Sequence, residues 1–255
     1  TPVLIMSGHG TIEYAMNAAK NGAYDFLEKP FNSDRLLFLV KKALQERDLK
    51  IKLMDSNNEW LKSNHIIGKS SKIKNVKNIC IKVSKSNSRI LISGPSGSGK
   101  ETCARFIHSL SNRMNHPFVV AACASLSNQM VDQLLFGFND SKNKNDAKSL
   151  FEQANNGTIY FNEICDLPID TQAKLINVIQ DQSFYKYGSN KKIKIDIRVI
   201  AGTSYDPNEA VKNGILREDL YYRLSVVPIY IPSLNSRIED IHVLIKSFME
   251  VASKI

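Results

Sequence analysis

The stretch Arg89-Ile-Leu-Ile-Ser-Gly-Pro-Ser-Gly-Ser-Gly-Lys100 decides the fold of this chain. Residues 89–93 form a short apolar run typical of a buried strand, and residues 102–110 have the spacing of a helix. Between them lies the pattern G-x-x-x-x-G-K, whose glycines let backbone N–H groups surround phosphate groups at a helix N-terminus. The sequence therefore predicts a phosphate-binding loop formed by Gly94, Pro95, Ser96, Gly97, Ser98, Gly99, Lys100 and Glu101.

This loop predicts ATP and Mg²⁺ as cofactors. Lys100 would neutralise the β- and γ-phosphates, and the order of strand, loop and helix favours this over a glycine-rich turn with an incidental lysine. Glu101 stands where the pattern usually has Ser or Thr, which weakens the magnesium assignment at that position.

Outside the loop, composition excludes several classes of protein. The 255 residues suggest one large domain or two unequal ones, and 43% hydrophobic with 23% charged residues excludes wholesale disorder. No apolar run approaches the roughly 18 residues of a membrane helix, so we expect no membrane partner. The net charge of +9 is spread over many lysines, which favours a solvated surface over a nucleic-acid patch.

Cysteine usage and the first residues bear on location. The four cysteines form no C-x-x-C pair, which argues against a zinc ribbon or a secreted disulfide scaffold and favours free thiols in the cytoplasm. The chain starts at Thr1 without the basic stretch of a signal peptide, so we interpret it as an internal part of a longer protein.

The pattern of apolar residues predicts an α/β chain in two parts. The first part would contain strands at residues 3–6 and 23–28, a helix from Thr11 and a helix from Ser33 to about Lys52, with a boundary at the polar residues 55–58. In the second part, strands at 89–93, 118–122, 158–161 and 195–201 alternate with helices, which predicts a parallel sheet covered on both faces.

The second part resembles the AAA+ module of bacterial enhancer-binding proteins, the sigma-54-dependent activators. The matching motifs are Ile66-Ile-Gly68, Gly94 to Glu101, Leu135-Phe-Gly137, Phe151-Glu-Gln-Ala154, Gly157-Thr158, Phe161-Asn-Glu-Ile164, Arg217-Glu-Asp-Leu-Tyr-Tyr-Arg223 and Val227-Pro228. In that family a Glu after the loop lysine is common, so Glu101 agrees with the pattern. Residues 1–50 resemble the second half of a response-regulator receiver domain, with Ser7, Phe26 and Lys29-Pro30 matching.

The resemblance implies a domain plan and a fold. Residues 1–50 would be part of a flavodoxin-like receiver, followed by a linker helix to about residue 55. Residues 62–233 would be a P-loop AAA+ three-layer α/β domain with a parallel sheet, and residues 234–255 the start of its lid. The receiver's phosphorylated Asp and a DNA-binding domain would lie outside this sequence.

The resemblance also implies roles for particular residues. Glu163 would be the catalytic base or the residue that positions the water and, with Asn162, a metal ligand, although the family has Asp in place of Asn162. Ile67, Gly68 and Ser204 would contact the nucleotide. Arg217 and Arg223 would act as arginine fingers toward a neighbouring subunit; the alternative is that they pair with Glu218 or Asp219 on the helix surface.

Three departures from the family affect the expected ATP hydrolysis and the expected engagement of the sigma factor. Ala122 replaces an Asn that would hold the catalytic Glu, and Ser204 replaces a sensor Asn. The polar segment 139–148 stands where the family has a Gly-Ala-Phe-Thr-Gly-Ala loop that grips the sigma factor. We therefore expect weak ATP hydrolysis and doubtful engagement of RNA polymerase through sigma-54.

The leading hypothesis is a two-component transcriptional regulator that binds ATP. Its partners would be other copies of itself in a ring, a sensor histidine kinase through the complete receiver, and DNA through a domain outside this sequence. The alternative is a nucleotide-binding scaffold without ATPase-driven remodelling. An unrelated P-loop kinase or GTPase is disfavoured, because no guanine-reading Asn-Lys-x-Asp occurs.

Overall fold

The computed structural model describes residues 4–7, 25–32, 36, 37, 39, 40, 42, 65–123, 128–138 and 148–253. The chain divides into two compact units, Thr1–Ser63 and Asn64–Ile255. The helix expected from Thr11, the boundary at residues 55–58 and nearly all of the polar segment 139–148 lie outside the described residues.

The first unit contains a parallel pair of strands. Strand β1 spans Leu4–Ser7 and strand β2 spans Asp25–Glu28, with Leu4 opposite Asp25 and Ser7 opposite Glu28. Both lie within two residues of the strands expected from the sequence. Residues 36, 37, 39, 40 and 42 are helical, as the apolar stripe of that segment indicates.

Seven strands are described in the second unit. They are β3 (Ile90–Ser93), β4 (Phe118–Ala122), β5 (Thr158–Asn162), β6 (Ser183–Tyr185), β7 (Lys192–Lys194), β8 (Arg198–Thr203) and β9 (Val227–Tyr230). Five of them form one parallel sheet in the order β4-β5-β8-β3-β9. Strands β6 and β7 form a separate antiparallel hairpin. The expected parallel sheet is confirmed.

Eight helices are described in the same unit. They are α1 (Ser71–Ser84), α2 (Lys100–Ser109), α3 (Asn128–Phe136), α4 (Leu150–Gln153), α5 (Ile169–Asp181), α6 (Pro207–Lys212), α7 (Glu218–Leu224) and α8 (Ile241–Ala252). Short 3₁₀ turns occupy Ile164–Asp166 and Leu234–Asp240. Local side chains fix several helix starts; in α4, Ser149 and Glu152 form a reciprocal capping box.

Strand β8 begins later than the sequence suggests. We expected residues 195–201, but the strand spans Arg198–Thr203. The N–H of Ile195 donates to the Gln182 carbonyl, and the N–H of Ile197 donates to the Gln182 side chain. These apolar residues therefore pack beside the end of α5 before the chain joins the sheet.

Strand β9 contains Pro228, which lowers its strand propensity in the sequence. The strand lies at the edge of the sheet, where Pro228 faces Leu91 in the register with β3. An edge strand has a neighbour on one side only. A proline can occupy it because the N–H that proline lacks would have no strand to donate to on the open side. The proline explains why the sequence pattern did not predict this strand, and the edge position explains why the strand forms despite it.

Two apolar clusters hold the second unit together. The larger contains four phenylalanine rings, with Phe151 5.4 Å from Phe136, 5.5 Å from Phe184 and 6.3 Å from Phe161 between ring centroids. The other packs α1 and α2 against Ile90, Ile92 and Ile200 of the sheet. Together these clusters fix the position of the strand that leads into the phosphate loop.

Replacing Phe151 by Ala should destabilise the protein by about 3–5 kcal/mol, because it opens a cavity at a ring that has no solvent exposure. Denaturant unfolding of the two proteins measures the difference. Phe248→Ala is the control: its ring is 65% exposed, so we expect a change within about 0.5 kcal/mol. Equal losses from the two variants would contradict this account of the core.

All four cysteines lie in this second unit as buried free thiols. The sulfur atoms of Cys80 and Cys103 are 3.3 Å apart between α1 and α2. In the part of the chain that the structure describes, no helix has the length and apolar character needed to span a membrane.

Candidate functional site

The phosphate loop lies at the carboxyl ends of the strands of the parallel sheet. It connects β3 to α2. In the sheet, β3 lies between β8 and β9. The next strand along the chain, β4, forms the sheet edge farthest from β9. Connections that leave neighbouring strands in different directions open a crevice at the carboxyl ends of those strands, where α/β proteins bind ligands.

Glycines shape this loop. Gly94, Gly97 and Gly99 have φ values of 154°, 73° and 101°, which side chains rarely allow. A Cβ on Gly94 would overlap the Ile231 carbonyl oxygen, so that position also needs glycine for space. Gly99 immediately precedes α2 and directs the first turn of the helix toward the loop.

Lys100 is 6% exposed and points back into the loop. Its Nζ donates to the carbonyl oxygens of Gly94 at 2.9 Å and Pro95 at 3.3 Å. The same Nζ lies 2.9 Å from Glu163 Oε1 and 3.4 Å from Ser204 Oγ. The structure thus brings three of the expected site residues, Lys100, Glu163 and Ser204, into one cluster.

Glu163 follows the end of β5 in a left-handed conformation, with φ 57° and ψ 66°. Its Oε2 accepts a hydrogen bond of 2.6 Å from the Ser204 backbone N–H. Burial alone would raise the pKa of Glu163, but the hydrogen bonds from Ser204 and Lys100 and the Lys100 charge together hold this pKa below its usual value. The carboxylate is therefore ionised and is held from both sides.

Ala122 and Asn162 lie opposite each other at the ends of β4 and β5. The side chain of Asn162 accepts a hydrogen bond of 3.4 Å from the Tyr160 hydroxyl. The methyl group of Ala122 makes no hydrogen bond, and the groups that contact the Glu163 carboxylate are Lys100 and Ser204.

A metal ion would find few ligands here without a nucleotide. Glu163 is engaged by Lys100, and Glu101 pairs with Arg105 one helical turn further along α2. Among the residues described, no group of three or more His, Cys, Asp or Glu side chains is placed to hold a metal. Asn162, the residue before Glu163, carries an amide oxygen that accepts a hydrogen bond from the Tyr160 hydroxyl.

The segment expected to contact the nucleotide is anchored by a buried carboxylate. Asp240 accepts hydrogen bonds from the backbone N–H groups of Lys69 at 2.6 Å and Ser70 at 2.8 Å, and from Ser70 Oγ at 2.6 Å. A Cβ on Gly68 would lie 2.9 Å from Asp240 Oδ2, so Gly68 allows this close approach, while Ile67 next to it is half-buried.

A second residue from the same 3₁₀ turn contacts the phosphate loop. Arg237 is 7% exposed, and its Nη2 donates to the Ser98 carbonyl oxygen at 2.9 Å. Sequence reasoning missed both Arg237 and Asp240 as site residues. The sequence placed both only within residues 234–255, the expected start of the lid, and indicated nothing about their contacts.

Arg217 and Arg223 are the two expected arginine fingers. Among the described residues, neither has a contact with the cluster of Lys100, Glu163 and Ser204. The Arg217 guanidinium donates to both carboxylate oxygens of Asp219, at 3.1 and 2.9 Å, which raises the pKa of Arg217. Arg223 lies in the last turn of α7 and is half-buried. The single chain therefore contains the alternative pairing of Arg217, with Asp219. The role of Arg217 and Arg223 as arginine fingers toward a neighbouring subunit stays a prediction.

In the first unit, two of the receiver positions meet at neighbouring strand ends. Ser7 ends β1, and the Lys29 N–H that follows β2 donates to its carbonyl oxygen at 2.8 Å. Phe26 lies in β2 opposite Ile5. The backbones of Ser7 and Lys29 are therefore neighbours at the carboxyl ends of the two strands.

The strand order, the loop after β3 and the Lys100–Glu163 pair define a P-loop protein of the AAA+ class. The family model described as the Sigma-54 interaction domain matches residues 66–230. The chain belongs to the sigma-54 interaction domain family.

Whole proteins of related sequence are regulators. The chain is 42% identical over 254 residues to an NtrX-like response regulator of Rickettsia felis, covering 99% of this chain and 53% of that protein. It is 41% identical to the nitrogen assimilation regulatory protein NtrX of Azorhizobium caulinodans, covering 99% of this chain and 56% of that protein. The chain therefore spans about half the length of the curated relatives it matches.

A solved structure resembles most of the chain. The crystal structure of NtrX from Brucella abortus in complex with ATP matches with a TM-score of 0.79 and 39% sequence identity, over 98% of this chain and 56% of that one. Its complex with ADP matches with the same TM-score at 38% identity. These similarities support the α/β fold expected from the sequence.

Proposed function

We propose that this chain is the nucleotide-binding part of an NtrX-like two-component transcriptional regulator and binds ATP or ADP at residues 94–101. The observation that carries the proposal is the buried ammonium group of Lys100 inside a glycine loop at a helix N-terminus. The related NtrX of Brucella abortus, with the same fold, has been crystallised with both nucleotides.

Nucleotide binding would exchange the partners of Lys100. Without a ligand, the ammonium is paired with the Glu163 carboxylate and donates hydrogen bonds to two loop carbonyl oxygens. Phosphate oxygens carry more negative charge and accept hydrogen bonds from the same group, so they compete with Glu163 for it. The released Glu163 carboxylate could then orient a water molecule, while the Ser204 N–H keeps one of its oxygens in place.

The residues fit Mg²⁺ only together with phosphates. Mg²⁺ commonly binds one or two protein oxygens, substrate phosphates and several waters. Asn162 and Glu163 would supply the protein oxygens, and the ion would neutralise charge that develops on the phosphates. The neutral Asn162 amide makes this a weak metal site, which favours slow hydrolysis.

At the level of the whole protein, we propose the partners expected from the sequence. A sensor histidine kinase would act through the complete receiver, other copies would form a ring, and DNA would be bound by a domain outside this sequence. Arg217 and Arg223 would reach the nucleotide of the next subunit in the ring, which requires Arg217 to leave Asp219. A nucleotide-binding scaffold with very low turnover is the second candidate, favoured by Ala122 and Asn162.

Calorimetric titration of the purified protein with ADP and with ATP, each with Mg²⁺, tests the proposal. We expect saturable binding of one nucleotide per chain. Absence of binding to a folded protein would overturn it. Turnover measured on the same sample then separates the slow ATPase from the scaffold.

Replacing Asn162 by Asp should raise the ATP turnover rate by about tenfold, because the change adds negative charge at a metal ligand. The two side chains have the same shape, and the Tyr160 hydroxyl that donates to Asn162 would donate equally well to a carboxylate. Steady-state phosphate release at saturating ATP and Mg²⁺ measures the effect, at protein concentrations where copies assemble.

The control combines Asn162→Asp with Glu163→Gln, which leaves the metal charge but removes the carboxylate that would orient water. We expect this double variant to lose the gain. A parent protein that already hydrolyses ATP as fast as the Asn162→Asp variant would contradict the proposed weakness of the metal site.

A further inference from the structure

The phosphate loop is held from outside by the turn that precedes α8. Arg237 is in that turn, has φ −141° and ψ 47° at a kink, and donates from Nη2 to the Ser98 carbonyl oxygen. Its side chain is buried, so the guanidinium has little freedom to move to another partner. The contact joins residues 139 positions apart in sequence.

The geometry of one peptide group links the Arg237 contact to the next N–H group of the loop. The Ser98 carbonyl and the Gly99 N–H belong to one planar trans peptide unit and point in opposite directions. Arg237 fixes the carbonyl, so it also fixes the direction of the Gly99 N–H. Within the described residues this N–H makes no backbone hydrogen bond. Gly99 has no side chain to restrain it, and its φ of 101° is accessible mainly to glycine.

Arg237 is itself anchored through Asp240, three residues later. Asp240 is completely buried and accepts three hydrogen bonds from Lys69 and Ser70 at the start of α1. Helix α8 begins at Ile241, directly after this carboxylate. One short turn therefore connects the phosphate loop, the segment 66–70 and the first lid helix.

We propose that Arg237 is a positioning residue that orients the Gly99 N–H for a nucleotide phosphate, with Asp240 fixing Arg237 to the segment 66–70. This inference rests on the proposed nucleotide site. The ligand chemistry is a phosphate oxygen that accepts a hydrogen bond from the loop backbone.

The test compares Arg237→Met, which keeps the length of the side chain but removes its donors, with the parent protein. Amide hydrogen exchange of a peptide covering residues 94–100, measured without nucleotide, should become faster in the variant. The dissociation constant for ADP should rise about tenfold, the loss expected for one charge-assisted hydrogen bond. Arg237→Lys, which keeps a charged donor, should recover part of that loss.

Arg113→Met is the matched control. Arg113 also donates to backbone carbonyls, those of Gly157 at 3.2 Å and Asp196 at 3.1 Å, but not to the loop. We expect it to lower the melting temperature while leaving ADP affinity and exchange of residues 94–100 unchanged. A general loss of stability would instead affect both variants alike, which would overturn a specific role for Arg237.

Unchanged exchange of residues 94–100 in Arg237→Met overturns the inference, and so does unchanged ADP affinity. If that variant does not fold, Arg237→Lys must show faster exchange of the same peptide, and its failure to do so is equally decisive. The exchange measurement uses no nucleotide. It therefore judges the inference separately from the proposed function, which fails if the parent protein does not bind ADP.

Discussion

Lys100→Ala should abolish measurable nucleotide binding, with a loss of affinity of at least about 100-fold. The Nζ of Lys100 is the cation that the structure places inside the loop, on the carbonyl oxygens of Gly94 and Pro95. Removing one partner of a buried charged contact typically costs about 2–5 kcal/mol, and about 3 kcal/mol corresponds to this loss. Calorimetric titration with ADP and Mg²⁺ measures the change.

The same substitution alters the site even before a nucleotide binds. Glu163 would lose its ion pair with Lys100 and keep the hydrogen bonds from Ser204, so its pKa should rise from its lowered value. Thermal unfolding of the nucleotide-free variant must therefore accompany the titration, to show that the protein is folded. Lys82→Ala, at an exposed lysine of α1, is the control and should bind as the parent does. Unchanged affinity in folded Lys100→Ala would disprove the site.

The sequence predicted the centre of the fold well because its signals there are local. The apolar run 89–93, the glycines after it and the helical spacing that follows each restrict the backbone without help from distant residues. Accordingly β3 spans Ile90–Ser93 and α2 spans Lys100–Ser109, within two residues of expectation. The parallel arrangement followed from the alternation of strands and helices.

The contacts among the site residues could not be predicted in the same way. Glu163 and Ser204 were singled out through the resemblance to a family, but their joint contact with Lys100 depends on how β3, β5 and β8 end beside one another. The contact of Arg237 with Ser98 is more distant still in sequence. A single arginine in a polar segment gives no periodic pattern, so only the folded chain reveals its partner.

The segment between Gly137 and Leu150, where the family engages its sigma factor, departs clearly from the family pattern. A sigma-54 activator pushes a loop with small residues and an exposed Phe-Thr tip against its sigma factor. Between Gly137 and Leu150 this chain has no glycine, and its only aromatic residue is Phe138. That ring stacks on Tyr187, with centroids 6.2 Å apart, and the two residues form a parallel β-bridge. Phe138 is therefore held on the hairpin and is not at a loop tip.

We accordingly expect the full-length protein to give no ATP-dependent opening of a sigma-54 promoter above background. ATP binding would then serve assembly or regulation, and the protein would act on transcription by occupying DNA, with the housekeeping polymerase as its target. Permanganate footprinting of promoter DNA with sigma-54 holoenzyme, the full-length protein and ATP measures opening. An activator that carries the Gly-Ala-Phe-Thr-Gly-Ala loop is the positive control on the same template. Robust ATP-dependent opening by this protein would refute the expectation, and it would mean that another surface replaces the loop. The exposed ring of Tyr187, which is 58% accessible beside Phe138, would then be the first to replace by Ala.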